Sequence, residues 1–377
     1  MSKIKVNSLE GVGASTPAIS IDNASGTCTA NITNNLSNRN LIINGAMIIS
    51  QRNGTSNTTI ASGATYGVDR FSARSQTGSG HTMAQSTDTP VGFKNSVKIT
   101  IGTGGTPSSG QKNYFYQTVE GNNIAHLEAG TANAKTVTFS FFVKSSLTGN
   151  FGAAITNGGA DYSFTFPYTI NSANTWEKKT KTVTLPSAGT WPTNTDGGLT
   201  VFFDLGSGSD YEGTPNQWNS AFDVRSSSDV KLVATSSATL FITGVQLEVG
   251  SVATDFEFLS HAVEKRLCMR YYQQYTNIVA VGYTGGSVSY HHGFTFPVEM
   301  RAAPTYSITN TGSSNGQYVT DSDNNGFIQS VAGSDLQAHN MAVHFNHSGS
   351  LTNYRAAILF GVDSTAYQTT HKLSAEL

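Results

Sequence analysis

The chain has 377 residues, with 22 Lys and Arg against 24 Asp and Glu for a net charge of −2, and only 12% of it is charged, about half the share of an ordinary soluble domain. No basic field exists to hold a phosphate backbone, which argues against a nucleic-acid-binding role. A hydrophobic fraction of 37% with 15 Tyr and 20 Phe is enough to build cores for two or three domains, so a disordered chain is also disfavoured.

The opening residues, Met1-Ser-Lys-Ile-Lys-Val, are not followed by an apolar stretch, so no signal peptide is expected and the product should stay where it is made. Residues 1–40 hold short apolar pieces, IKV and AISI, then Asn31, Asn34, Asn35, Asn38 and Asn40. Such a segment buries little on its own and should order only against a partner. From residue 41 to 258, short alternating segments broken by Gly, Asn, Ser and Thr predict a large all-β domain. In residues 135–144 (KTVTFSFFVK), Val137, Phe139, Phe141 and Val143 share one face of a half-buried strand. The same period recurs in residues 176–185 and in residues 240–249, where Val245, Leu247 and Val249 alternate with Gln246 and Glu248.

Residues 259–377 predict a linker helix and a smaller β domain. The helix has Ser260 as N-cap and runs through HAVEKRLCMRYY, with Val263, Leu267 and Tyr271 as its apolar stripe and a hinge role between the two β domains. The longest apolar runs, such as AAILFGV from Ala356, stop at seven residues, far short of the ~18 that span a bilayer, so no membrane insertion is expected. Cys28 and Cys268 are far apart and are expected as free thiols. There is no 20 to 50-residue repeat of the solenoid kind.

The run NLIINGAMIISQRNG (residues 40–54) followed by YGVDRF (residues 66–71) resembles the opening of a jelly-roll domain of tailed-phage fibre and tail-associated proteins. Further matches follow in that family's order: QTVEG from Gln117, TVTFSFFVKSS from Thr136, TGVQLEVGSVATDFE from Thr243, EKRLCMRYYQ from Glu264 and FPVEMRAAPT from Phe296. The resemblance covers residues 40–310. It implies a carbohydrate-binding-module-like β-sandwich in a tail fibre or fibre-like spike, a homotrimer whose N-terminal segment docks on other virion proteins and which attaches to a host-surface polysaccharide. It places the protein in the virion tail after synthesis in the host cytoplasm. A structural adaptor or head-decorating fibre, or a polysaccharide depolymerase, are the rival functions, since a fold of this kind hosts all three.

On the residues themselves, Asn44-Gly45 predicts a tight turn entering a first strand. Arg52, Asp69 and Arg70 are expected to tie strand ends together rather than to contact ligand. Gly312-Ser-Ser-Asn-Gly316 matches G-x-S-x-G, but in a polar turn where no nucleophile elbow forms. Asp321, Asp323 and Asn325 have the spacing of half a calcium loop, with Ala332 where the bidentate Glu belongs, so at most an adventitious calcium is expected there and no other cofactor. His339, His344 and His347 read as surface histidines. Sugar recognition asks for exposed aromatic faces beside hydroxyls and amides, which makes Trp191, Tyr211, Trp218, Tyr290 and His291 the candidate glycan-binding residues. Asp210 and Glu212 are the one carboxylate pair to test for hydrolysis.

Overall fold

A computed structural model describes residues 8–9, 19–21, 24, 28–30, 38–276, 278–286, 289–310, 317–320, 325–347, 351, 355–361 and 369–377. The strand Thr136–Ser145 carries the period-2 pattern to its end: Val137, Phe139, Phe141 and Val143 are all buried. It lies inside a six-stranded antiparallel sheet in the order Glu177–Thr184, Thr136–Ser145, Thr239–Val249, Ser96–Thr100, Thr82–Ser86, Thr58–Thr59. A second sheet of seven strands faces it, in the order Trp218–Asn219, Ser163–Ile170, Gly149–Asn157, Gly197–Asp204, Asn113–Glu120, Ser72–Ser75, Thr65–Tyr66. Together they make the β-sandwich that the alternation calls for.

Aromatic rings close the space between the sheets. Phe139 and Phe141 approach Phe203 of the opposite sheet at centroid distances of 5.7 and 4.8 Å, and Phe141 meets Tyr168 edge-on at 5.1 Å. Burial of each such ring contributes about 2–3 kcal/mol. The outer strand Glu177–Thr184 exposes Lys residues along a sheet edge, a charge pattern that blocks edge-to-edge pairing.

Two local expectations change in the structure. Gln246 and Glu248, on the face expected to be wet, are fully buried. Residues 254–257 fold back over them, with the Thr254 N–H donating to Glu248 at 2.8 Å and Arg39 lying 3.6 Å from the same carboxylate. Asn44 does turn the chain at φ 61°, and a Cβ on Gly45 would strike the Val245 carbonyl, but no strand follows. The Asn44 side chain captures the segment instead, accepting from the Ile49 N–H at 2.9 Å and donating to the Ile49 and Asp69 carbonyls.

The helix spans His261–Met269, with Ser260 capping through its carbonyl and not its side chain. Its buried face is Glu264 and Cys268, while Val263 and Leu267 of the expected stripe are 46% and 38% exposed. The cause is the turn at Asn44, whose N–H donates to the Glu264 carboxylate and so fixes which side of the helix faces in. Tyr272 already opens a strand, Tyr272–Thr276, which pairs with Thr369–Ser374 beside Thr305–Asn310. Strands Ala280–Gly286, Ser289–Thr295, Asn340–His347, Asn325–Leu336, Gln317–Thr320 and Ala356–Gly361 close a barrel around Tyr290, Val319, Val343, Phe345 and Leu359. The helix is not a free hinge. Arg70 pairs with Glu376, Arg270 with Glu120 at 2.7 Å, Arg52 stacks on Tyr272 at 3.6 Å, and Asp69 accepts from the Gln51 N–H at 2.9 Å with Arg52 3.9 Å away, which gives Arg52, Asp69 and Arg70 the scaffold role expected of them. Near the N-terminus, Ser8–Leu9, Ile19–Ile21 and Cys28–Ala30 form a small three-stranded sheet.

Candidate functional site

Alternation along the seven-stranded sheet sends Phe115 and Val119 inward and Tyr114, Tyr116 and Thr118 outward. On the neighbouring strand Leu199, Val201 and Phe203 go inward while Thr200 and Phe202 go outward. The register sets Phe202 opposite Tyr116 and Thr200 opposite Thr118. Tyr116 and Phe202 stack at 5.4 Å and 22°, and Tyr114 stands edge-on to Phe202 at 5.0 Å. Ala154, next to Phe202, is small enough to leave the rings room.

The segment 209–226, interrupted by the edge strand Trp218–Asn219, folds over one side of this face and adds two more rings. Phe222 lies 5.4 Å from Phe202, and Tyr211 lies 5.6 Å from Phe222. The loop is pinned from below by Arg225, which is 0% exposed. Its guanidinium donates to the Ser207 carbonyl at 2.9 Å and to the Asp229 carbonyl, and pairs with Glu212 at 3.3 Å and Asp204 at 3.6 Å. Burial pushes the Asp204 carboxyl up to about 6, against the opposing pull of Arg225. The other wall is the turn after Asn157, whose side-chain oxygen accepts the N–H groups of Asp161 and Tyr162 at 3.1 Å each. A Cβ on Gly158 would run into the Gly197 carbonyl, so only glycine fits at that position of the wall.

The result is an open cleft of about 410 Å³ lined by Lys112, Tyr114, Tyr116, Thr118, Thr200, Phe202, Phe222, the Gly158–Ala160 turn and Leu377. The volume is in the range of small-ligand sites. Thr118 and Thr200 hold hydroxyls 2.9 Å apart on its floor. Burial raises the Tyr114 phenol and lowers the Lys112 ammonium.

The residues singled out from sequence are dispersed. Tyr211 sits at the cleft's cap, its hydroxyl donating to the Gly110 carbonyl at 3.1 Å. Trp191 and Trp218 meet edge-on at 5.8 Å and donate their indole N–H groups to the Ala188 and Thr184 carbonyls. They plug one end of the sandwich: Trp191 is buried in its core and Trp218 packs against it half-buried. Tyr290 is corrected outright, since it is fully buried inside the barrel with its hydroxyl on the Ala280 carbonyl and offers no ring face. His291 lies on the barrel's outer side, stacked on Tyr283 at 4.8 Å and 4.0 Å from His344, away from the cleft. Glu212 is taken up by Arg225 and Lys231 while Asp210 is exposed.

Asp321, Asp323 and the G-x-S-x-G run lie outside the described residues, and of Asn325 only the backbone, at the start of a strand, is described. Among the described residues no group of three or more His, Cys, Asp or Glu is placed to share a metal ion. Cys268 is a buried free thiol. Sequence reasoning missed Tyr114, Tyr116, Phe202 and Phe222. The signal was present as Tyr-Phe-Tyr just before Gln117, which alternates as strictly as the core strands.

No protein-family model matches the chain, and no curated relative matches it. Among solved structures, the chain is similar to the enzymatically active domain of tailspike protein 4 of bacteriophage CBA120, with 13% identity and a TM-score of 0.32 over 56% of this chain and 21% of that one. This chain therefore spans about a fifth of that tailspike structure. It is also similar to a family 11 carbohydrate-binding module from Clostridium thermocellum, in complex with a mixed-linked tetrasaccharide, at 10% identity and a TM-score of 0.28 over 53% and 99% of the two chains. A xylan-binding domain from Paenibacillus barcinonensis gives 13% identity and a TM-score of 0.24 over 53% and 99%. At these scores the superpositions establish no family, and the chain's own cleft is what bears on its ligand.

Proposed function

We propose that the protein is a non-catalytic attachment protein that binds a surface glycan in the cleft on the seven-stranded sheet. One observation carries this: an open cleft floored by Tyr116 and Phe202, capped by Phe222, with the Thr118 and Thr200 hydroxyls beside them. Pyranose rings present C–H faces that stack on such aromatics and hydroxyls that bond to such donors. The cleft lining contains no Asp or Glu side chain, and hydrolysis by a carboxylate pair would need two. Tail-fibre identity, attachment of residues 1–40 to other virion proteins and a host-surface polysaccharide as partner rest on the sequence resemblance. The homotrimer rests on that resemblance too; association of copies would cover the exposed Val263, Leu267 and Phe258.

The experiment is affinity measurement of the full chain against purified bacterial surface polysaccharides, with Tyr116→Ala and Phe222→Ala as variants. Each substitution should weaken binding about tenfold or more, with polymer length unchanged on incubation. Wild-type affinity in both variants would overturn the assignment of the cleft.

A further inference from the structure

The charges around the cleft are asymmetric. Several buried or half-buried cations meet carboxylates: Arg225 with Glu212 and Asp204, Arg270 with Glu120, Arg70 with Glu376. Arg74 and Lys112 do not, and of the lysines without such a partner Lys112 is the one in the cleft lining. Arg74 sits on Ser72–Ser75 opposite Tyr114, so alternation puts it on the outer face while Ala73 enters the core. Its Nε is buried without a hydrogen-bond partner, and its charge opposes the upward push of burial on the Tyr114 phenol. Lys112 lines the cleft with its ammonium 5.3 Å from the Tyr211 ring and 5.2 Å from the Phe222 ring. Among the described residues no carboxylate lies within 4.0 Å of either cation. The two are near enough for Arg74 to lower the Lys112 ammonium further, after burial has done so. Lys112 in the cleft lining and Arg74 beside it, opposite Tyr114, with no carboxylate of the described residues within 4.0 Å of either, are placed to receive an anion from outside.

Resting on the glycan reading of this cleft, we propose that its ligand is an acidic sugar, whose ring stacks on Tyr116 and Phe222 while its anionic group meets Arg74 and Lys112. The anion is a carboxylate, as in a uronic acid, or a phosphate ester; the guanidinium and ammonium donors suit both.

The test titrates the full chain calorimetrically with uronic-acid-containing bacterial capsular polysaccharides, each beside its carboxyl-reduced neutral twin. Phosphate-bearing polymers are run beside their dephosphorylated twins. The acidic form should bind at least about tenfold more tightly than its twin, and less so as salt rises. Arg74→Gln and Lys112→Gln should each remove most of that difference between the acidic polymer and its neutral twin. Lys112, half-buried at the surface, serves as the variant if Arg74→Gln fails to fold. A preference confined to uronates or to phosphates identifies which anion is used. Equal binding of the twins with both variants unaffected would overturn the acidic-ligand proposal and leave glycan binding standing. No binding of any form would overturn both.

Discussion

Replacing Arg225 by Met tests whether buried charge, and not apolar packing, holds the loop over the cleft. Met nearly fills the volume, so the cavity cost is small. What is lost is the donor set to the Ser207 and Asp229 carbonyls and the partner of Asp204, which is itself fully buried. Stranding a buried carboxylate in this way costs about 3–5 kcal/mol, a large part of the roughly 5–15 kcal/mol that holds a domain together. Asp204 can escape part of that cost by taking up a proton, since its pKa is already about 6 with Arg225 beside it. The loss should therefore be near its full size at pH 8 and distinctly smaller at pH 5. Trp176, Trp191 and Trp218, the three tryptophans of the chain, all lie in the sandwich, so tryptophan fluorescence during denaturant unfolding reports that half alone. Adding Asp204→Asn should recover part of the loss at pH 8. A loss below about 1 kcal/mol at pH 8, or one equal at both pH values, would refute the assignment of the loop's anchor to this ion cluster.

In the wild type, Asp204 has a folded pKa raised from 3.8 to about 6. The folded state thus holds an extra proton between those values, and this group's contribution is present below pH 3.8 and lost as pH rises through about 6, by about 3 kcal/mol; comparing unfolding curves with those of Asp204→Asn isolates it, and a parallel pair of curves would disprove it. Phe203→Ala, at the meeting point of Phe115, Phe139 and Phe141, should destabilise the sandwich by about 3–5 kcal/mol in the same assay. Glu120→Gln weakens the contacts to Arg270 and to the Tyr271 hydroxyl, 2.7 and 2.8 Å away, so calorimetry should show sandwich and barrel melting further apart than in the wild type. Sedimentation of the wild type should give about three times the 39.9 kDa chain mass, and a clean monomer at micromolar concentration would remove the trimer from the proposal.

The sandwich was legible because its signal is local. Val137, Phe139, Phe141 and Val143 declare a face by spacing alone, and a β-rich composition agrees with them. The helix face was misassigned because Glu264 is committed by a main-chain N–H 220 residues away in sequence, which no periodicity encodes. The cleft was half legible. Trp191 and Trp218 stood out as large rings in polar loops, yet a loop ring can fold inward and satisfy its indole N–H on a carbonyl, as both do. Tyr114, Tyr116 and Phe202 instead looked like ordinary core alternation. Only the pairing of Asn113–Glu120 with Gly197–Asp204, and the loop that stops short of covering them, makes their outward face the floor of a cleft. Tyr290 failed for the opposite reason, because closing the barrel turns its ring inward.

The strand Asn113–Glu120 carries the cleft rings Tyr114 and Tyr116 near one end and the junction contacts at the other. There the Thr118 carbonyl accepts from Arg70 at 2.7 Å and Glu120 holds Arg270 and Tyr271. Mechanically, this makes one strand a tie-rod. A tug on a ligand stacked in the cleft enters the backbone at the tyrosines and is handed, along covalent bonds, to ionic contacts with the barrel side, without passing through the short helix. Its neighbours on both flanks, Gly197–Asp204 and Ser72–Ser75, would have to slide along whole hydrogen-bond ladders before it could be drawn out, so the load is shared in shear. Single-molecule pulling between a cleft-bound ligand and the barrel should accordingly rupture the ligand before the junction, and Glu120→Gln should reverse that order.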